Sequence, residues 1–242
     1  MAIHEQVAEK TDWAVVADST TLRPPGALRT LPATLERADF HDAAFSPGYE
    51  LVKRCLDIAA ASLLLIISLP LLLAAVAAIC LESKGPALFR QWRLGKNGRP
   101  FRILKLRTLT VIEGGAIRQV TKNDPRLTRV GGTLRKLSID ELPQLVNVLR
   151  GEMSLVGPRP HAVAHDHYYA AQIQGYNRRQ YVKPGITGWA QIHGFRGETA
   201  ALDDMQRRVR FDLWYVRHAS FLLDLRIILA TPAAVILGRN AW

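Results

Sequence analysis

"IAAASLLLIISLPLLLAAVAAICL", Ile58 to Leu81, is a run of 24 residues without a charged side chain in a chain of 242. As one straight helix it would be about 36 Å long, enough to cross a hydrocarbon core of about 30 Å. Pro70 lies near its midpoint, where it removes a helical hydrogen bond and crowds the preceding turn. Both flanks are basic: Lys53 and Arg54 come before it, and Lys84, Arg90, Arg93 and Lys96 after it. The preference of basic flanks for the cytoplasmic side therefore asks for both on the same side. A helix that enters, breaks at Ser68-Leu69-Pro70 and returns answers both features, with Ser68 covering a carbonyl freed by the proline. Proline is also tolerated in spanning helices, so the residues alone leave re-entrant and spanning readings open.

Charge divides the chain outside this run. Residues 1–52 hold eight acids and four bases, a net of −4, which leaves 28 bases against 13 acids, or +15, in the remainder. That excess draws the remainder to polyanions or to an anionic membrane surface. Aromatic residues are only 7% of the chain, which leaves few stacking platforms, and no nucleic-acid-binding motif is present. The first residues lack the charged-then-apolar order of a signal peptide. Residues 1–48, rich in Pro, Thr and Ala, read as a polar, largely disordered tail. Cys55 and Cys80 lack metal-site spacing and read as small apolar packing residues in a reducing compartment.

The block after the apolar run carries the chemistry. "FRILKLRTL", Phe101–Leu109, alternates as a strand does and predicts a small hairpin with the segment near Leu88–Trp92. In "LRKLSIDELPQLVNVLRGEMSLVGPRP", Leu134–Pro160, the residues Leu142, Leu145, Val146 and Leu149 follow helical spacing and Gly151 ends the helix. Asp140 and Glu141 stand side by side among Arg135, Arg150 and Arg159. Ser138 and Glu141 match a capping box, but a helix starting there puts Pro143 where a backbone donor is already needed. Starting at Asp140 places Pro143 in the first turn and Asp140 at the positive end of the helix, where phosphates bind and carboxylates stay ionised. Adjacent helical residues point about 100° apart, so the two carboxylates cannot do one job from one face. One could attack or bind a metal while the other handles a proton or steers the first. Arginine forks match phosphate oxygens, and a carboxylate nucleophile with arginines and Mg²⁺ is a workable set for phosphoryl transfer. His161, His165, His167 and His193 form no ligand pattern and read as ordinary loop or helix histidines.

The end of the chain is apolar again, from Ala219 to Gly238, but it carries Asp224 and Arg226 and is interrupted by Pro232. A carboxylate at a bilayer centre is costly, so this segment reads as helices lying on the membrane or packing on the core. Arg207, Arg208, Arg210, Arg217 and Arg226 fit contact with lipid headgroups.

"KRCLD", "GPALFRQWRLGKNGRPFRILKLRT", "DPRLTRVGGTLRKLSIDELPQLVNVLRGEMSLVGPRP", "YVKPGITGWAQIHG" and "FLLDLRIIL" occur in the order found in bacterial sugar transferases. Over about residues 50–240 the chain resembles the monotopic phosphoglycosyl transferases of that family, most of all the undecaprenyl-phosphate glucose phosphotransferase subgroup. The resemblance implies an α-rich α+β monotopic membrane protein with a small β-hairpin and amphipathic interfacial helices. Residues 49–82 would form a re-entrant membrane helix broken near Pro70, at the position of Ser68. Residues 83–240 would form a cytoplasmic catalytic domain at the inner membrane. It implies Asp140 as nucleophile and metal ligand, Glu141 as its partner, and Mg²⁺ as cofactor. Arg135 and Arg159 match phosphate-holding positions, Asp224 a functional acid, and Lys105 and Arg107 the basic strand beside the active site. The implied partners are a UDP-hexose, undecaprenyl phosphate and membrane lipids, with no nucleic acid, and self-association is left open. The implied reaction passes hexose-1-phosphate, glucose-1-phosphate by subgroup, to the lipid and starts an exopolysaccharide or capsule repeat unit. The rival reading is a membrane-anchored basic binding or scaffold protein without catalysis.

Overall fold

The computed structural model describes residues 47–110, 124–197 and 201–237. The predicted tail lies outside these residues except at its last two positions, which already belong to a helix. That helix, α1 (Pro47–Glu82), is continuous over 36 residues with Pro70 inside it. No break is present at Ser68-Leu69-Pro70. The Ser68 hydroxyl donates to the Leu65 carbonyl at 3.3 Å, not to that of Ile66, four residues before the proline, which loses its donor.

One stripe of α1 faces the rest of the chain. Asp57, Ala61, Ala75 and Ile79 are buried, and Leu65, Leu72 and Val76 pack against the same two core clusters. Steps of three and four residues put all of these on one side of the helix. The other sides expose Leu63, Ile66, Ile67 and Leu73, each more than half accessible. An apolar surface of this extent marks contact with a membrane or a partner. Cys55 and Cys80 lie on those outer sides and are exposed, so they are not the packing residues expected.

Both ends of α1 are fastened to the same domain. Near its start, Asp57 accepts from the Leu155 amide at 2.9 Å and the Ser154 hydroxyl at 3.1 Å, and Arg54 donates to the carbonyls of Val148 and Leu149. At its end, Arg107 donates to the carbonyls of Ser83, Lys84 and Ile79, which satisfies acceptors that a helix C-terminus leaves open. The Glu82 carboxylate accepts from the Arg129 and Val130 amides, the first of the next helix, α2 (Arg129–Lys136).

The expected hairpin is present: β1 (Leu88–Leu94) pairs antiparallel with β2 (Pro100–Leu106), Phe89 opposite Lys105. Asn97 and Gly98, both at positive φ, make its turn. β2 ends three residues earlier than the alternation suggests, and Leu109 instead bridges to Leu127. The helix expected from Asp140 divides at Pro143. Ile139–Glu141 form a single 3₁₀ turn, and α3 runs from Gln144 to Leu149 with Pro143 as its N-cap. Gly151, at φ 80°, stops it as expected.

β3 (Ser154–Val156) and β4 (Gly185–Thr187) form a short parallel pair. Their glycine-lined approach is so close that a Cβ on Gly185 would lie 2.1 Å from the Gly157 nitrogen. Helix α4 (Val163–Ala170), a 3₁₀ stretch (Tyr176–Tyr181) and the short α5 (Trp189–Ile192) lead into α6 (Leu202–His218) and α7 (Phe221–Leu237). α7 packs Asp224 and Ile227 into the core and leaves Phe221, Leu222, Leu225, Ile228 and Leu229 exposed. Arg208 departs from the headgroup reading: it is buried and donates to the Gly197 carbonyl at 2.6 Å.

Candidate active site

Asp140 and Glu141 sit on the 3₁₀ turn between α2 and α3, each about 7% exposed. Their surroundings come from separate elements. Lys105 reaches in from β2 and places its Nζ 2.9 Å from Glu141 Oε1. Arg159, held between Pro158 and Pro160 in the loop after β3, forks onto the same carboxylate at 2.5 and 3.1 Å. Two cations thus share one acid. Burial alone would raise the Glu141 pKa, but Arg159 and then Lys105 pull it well below the ordinary value.

Asp140 differs from its neighbour. Among the described residues neither of its oxygens accepts a hydrogen bond or forms an ion pair. Burial pushes its pKa up to about 6; Glu141 pushes the same way, while Lys105, Arg135 and Arg159 oppose it. The sequence suggests a carboxylate kept ionised by a helix N-terminus and its basic surroundings; here burial outweighs the cations. At neutral pH the carboxylate is still mostly ionised.

Arg135, in the last turn of α2, is close enough for its charge to act on Asp140 and forms no ion pair among the described residues. Ser138 lies at φ 60° and its side chain makes no cap, as the position of Pro143 argued. Its hydroxyl accepts from Arg196 Nη2, a contact across 58 residues. The remaining expected site residues lie elsewhere. Arg107 caps α1, and Asp224 accepts from Tyr49 (2.9 Å), Lys53 (2.6 Å) and Tyr215 (2.6 Å) where α1 starts.

Three groups escape sequence reasoning. Arg196 belongs to a loop without periodicity. Asn147 is wholly buried on α3, accepts from the Leu104 amide at 3.0 Å and donates to the Arg102 carbonyl at 2.8 Å. It thereby holds β2, and with it Lys105, against the dyad helix; a polar residue amid the apolar spacing was its one signal. Behind Arg159 lies a buried network in which Arg179 donates to the Arg159 carbonyl (2.8 Å), to Asp212 (2.8 Å) and to His161 Nδ1 (3.0 Å). Burial and then Arg179 hold the His161 pKa well below its usual value, so the ring is neutral and accepts that bond. The ring thus serves as an acceptor in the network behind Arg159.

No group of three or more metal-ligating side chains exists among the described residues. A divalent ion here would rest on the unpaired Asp140 carboxylate together with substrate phosphate oxygens and water, the way Mg²⁺ is commonly held. A buried, unpaired carboxylate ringed by Lys105, Arg135, Arg159 and Arg196, beside an apolar helix, has the composition of a phosphate-handling site at a membrane surface.

Comparison with known proteins agrees with that class. The bacterial sugar transferase family matches residues 48–238, and the chain belongs to it. A UDP-glucose:undecaprenyl-phosphate glucose-1-phosphate transferase of Caulobacter vibrioides is 53% identical over 194 residues, covering 80% of this chain and 73% of the relative. A protein of the same name from Escherichia coli is 50% identical over 203 residues, 84% of this chain but only 44% of the relative's length. An exopolysaccharide production protein of Rhizobium leguminosarum is 41% identical over 185 residues, 74% of this chain and 92% of that protein.

The network behind Arg159 makes a stability prediction. Asp212→Asn leaves the Arg179 charge buried without its partner and should cost about 3–5 kcal/mol, with loss of the fixed Arg159 loop. Removing the exposed Asp203–Arg207 pair on α6 should cost no more than about 0.5 kcal/mol. Urea unfolding of the detergent-solubilised protein compares the two; equal costs would mean that the buried network does not hold the loop.

Proposed function

We propose that the protein transfers glucose-1-phosphate from UDP-glucose to undecaprenyl phosphate, starting an exopolysaccharide or capsule repeat unit. The observation that carries this reading is the asymmetry of the two carboxylates: Glu141 is matched by Lys105 and Arg159, while Asp140 is unpaired. The names of the relatives supply the donor, the acceptor and the polymer class.

An ionised Asp140 oxygen attacks the phosphorus that carries the glucose. A bond forms between that oxygen and phosphorus, and the bond to the bridging diphosphate oxygen breaks, with its electron pair leaving on UMP. In the second step a phosphate oxygen of the lipid attacks the same phosphorus. The aspartyl–phosphorus bond breaks, Asp140 is restored, and the product is undecaprenyl diphosphoglucose. Glu141 keeps Arg159 and Lys105 in place; Asn147 keeps Lys105 on the correct side. Mg²⁺, when bound through Asp140 and substrate oxygens, would offset diphosphate charge.

The membrane arrangement in this reading is monotopic at the cytoplasmic face. α1 lies along the bilayer surface with its exposed apolar side immersed, and both flanks stay on one side. Support comes from the basic flanks and from the contacts of Arg54 and Asp57 at one end, and of Ile79, Glu82 and Ser83 at the other, with a single domain. Single cysteines at Glu50 and Lys84, in a background lacking Cys55 and Cys80, test it with an impermeant maleimide on spheroplasts. Both should be protected until lysis; labelling of either one from outside means a spanning helix.

Incubation with sugar-labelled UDP-glucose and no lipid acceptor should place the label on the peptide holding Asp140. Asp140→Asn keeps the shape but loses the anionic oxygen, so adduct and turnover should fall at least about a thousandfold. Turnover near wild type in that variant would favour direct attack by the lipid phosphate.

A further inference from the structure

Basic groups outnumber acidic ones at the dyad. Asp140 and Glu141 contribute two negative charges; Lys105, Arg135, Arg159 and Arg196 contribute four positive ones. Lys105 and Arg159 are both engaged on Glu141. Arg135 and Arg196 have no carboxylate partner among the described residues. The diphosphate of a nucleotide sugar carries two negative charges at neutral pH.

Arg196 is the better placed of the two for a built contact. Its Nη2 donates to the hydroxyl of Ser138, two residues before Asp140. Its Nη1 is buried and has no hydrogen-bond partner. A buried donor without an acceptor is costly, and an anionic oxygen at that position would satisfy it with a charge-assisted bond. The guanidinium lies close enough to Glu141, Arg159 and Asp140 to feel the charge of each. Its loop is fixed from behind: Arg208 donates to the Gly197 carbonyl, and the Phe195 amide donates to the Ala190 carbonyl. Arg159 is the residue expected from the sequence to grip phosphate, and it spends one N–H of each Nη on Glu141.

We propose that Arg196 is a diphosphate-binding residue of this site, its free Nη1 donating to a phosphate oxygen of the nucleotide sugar while Ser138 orients the fork. The proposal rests on the reading that the substrate is a nucleoside diphosphate sugar.

The test is calorimetric titration of the full chain in nanodiscs with UDP, which needs no turnover. Arg196→Gln should weaken UDP binding by about 10–100-fold, the range of one charge-assisted contact. Arg196→Lys should recover part of it, since the charge returns without the fork. Ser138→Ala should stay within about threefold of wild type. At saturating UDP-glucose, Arg196→Gln should still form the adduct, so KM rises more than kcat falls. Unchanged UDP affinity in Arg196→Gln overturns the assignment, as does Ser138→Ala weakening binding equally, which would make Arg196 a brace for the turn. Failure of the wild type to bind UDP also overturns it. Should Arg196→Gln unfold, Arg196→Lys carries the comparison by itself. If the wild type binds UDP in this Arg196-dependent way yet transfers no sugar, the function reading fails and the assignment stands.

Discussion

Glu141 holds Lys105 and Arg159 at once, and the geometry around Asp140 depends on that one carboxylate. The hairpin, the 3₁₀ turn and the loop after β3 are separate in the chain, and among the described residues Glu141 is the ionic contact they share. Two half-buried cations brought together without an acid would repel each other. With Glu141 present they can be packed close and still be matched. The consequence falls on the neighbouring residue. Because the cations are spent on Glu141, Asp140 is left buried but unpaired, and a carboxylate in that state is a reactive one.

The same economy of charge fastens the site to the membrane helix. Asp57 and Asp224 are carboxylates in or beside apolar segments, and both are buried with hydrogen-bond partners from other elements. Arg107 and Glu82 perform the corresponding task at the far end of α1. Buried polar groups that are fully partnered fix one arrangement. Here they fix the distance between the apolar face of α1 and the dyad. In the proposed reaction, that distance is what lets a lipid phosphate at the interface reach the phosphorus on Asp140.

Local pattern made much of this legible. Alternation in "FRILKLRTL" predicted β2, the leucine spacing predicted α3, and Gly151 marked its end. The dyad and its arginines stood out because acids rarely cluster with so many bases. What stayed hidden depended on distant partners. Lys105 and Arg107 are two apart and would share a face of one strand, but β2 ends at Leu106 and Arg107 turns back to cap α1. Arg207 and Arg208 are neighbours in sequence, yet the second is buried and donates to the Gly197 carbonyl while the first pairs with exposed Asp203. Pro70 signalled a break because it removes one hydrogen bond; the helix continues through it, since the turns on either side pack along one stripe. Arg196 meets Ser138 across 58 residues, which no periodicity encodes.

Asp140 is a carboxylate without a protein partner among the described residues, its acidity set mainly by burial, while Glu141 stays charged. The most direct measurement is the pH dependence of UMP release in a single turnover with UDP-glucose and no lipid acceptor, at constant ionic strength. Burial raises the Asp140 pKa to about 6, so its ionised fraction is halved there and falls roughly tenfold per unit below. The account predicts a rate that is flat above pH 7 and drops with unit slope below about 6. A rate that stays flat from pH 7 down to 5 would contradict it, because the attacking group could not then be a carboxylate with its pKa raised by burial.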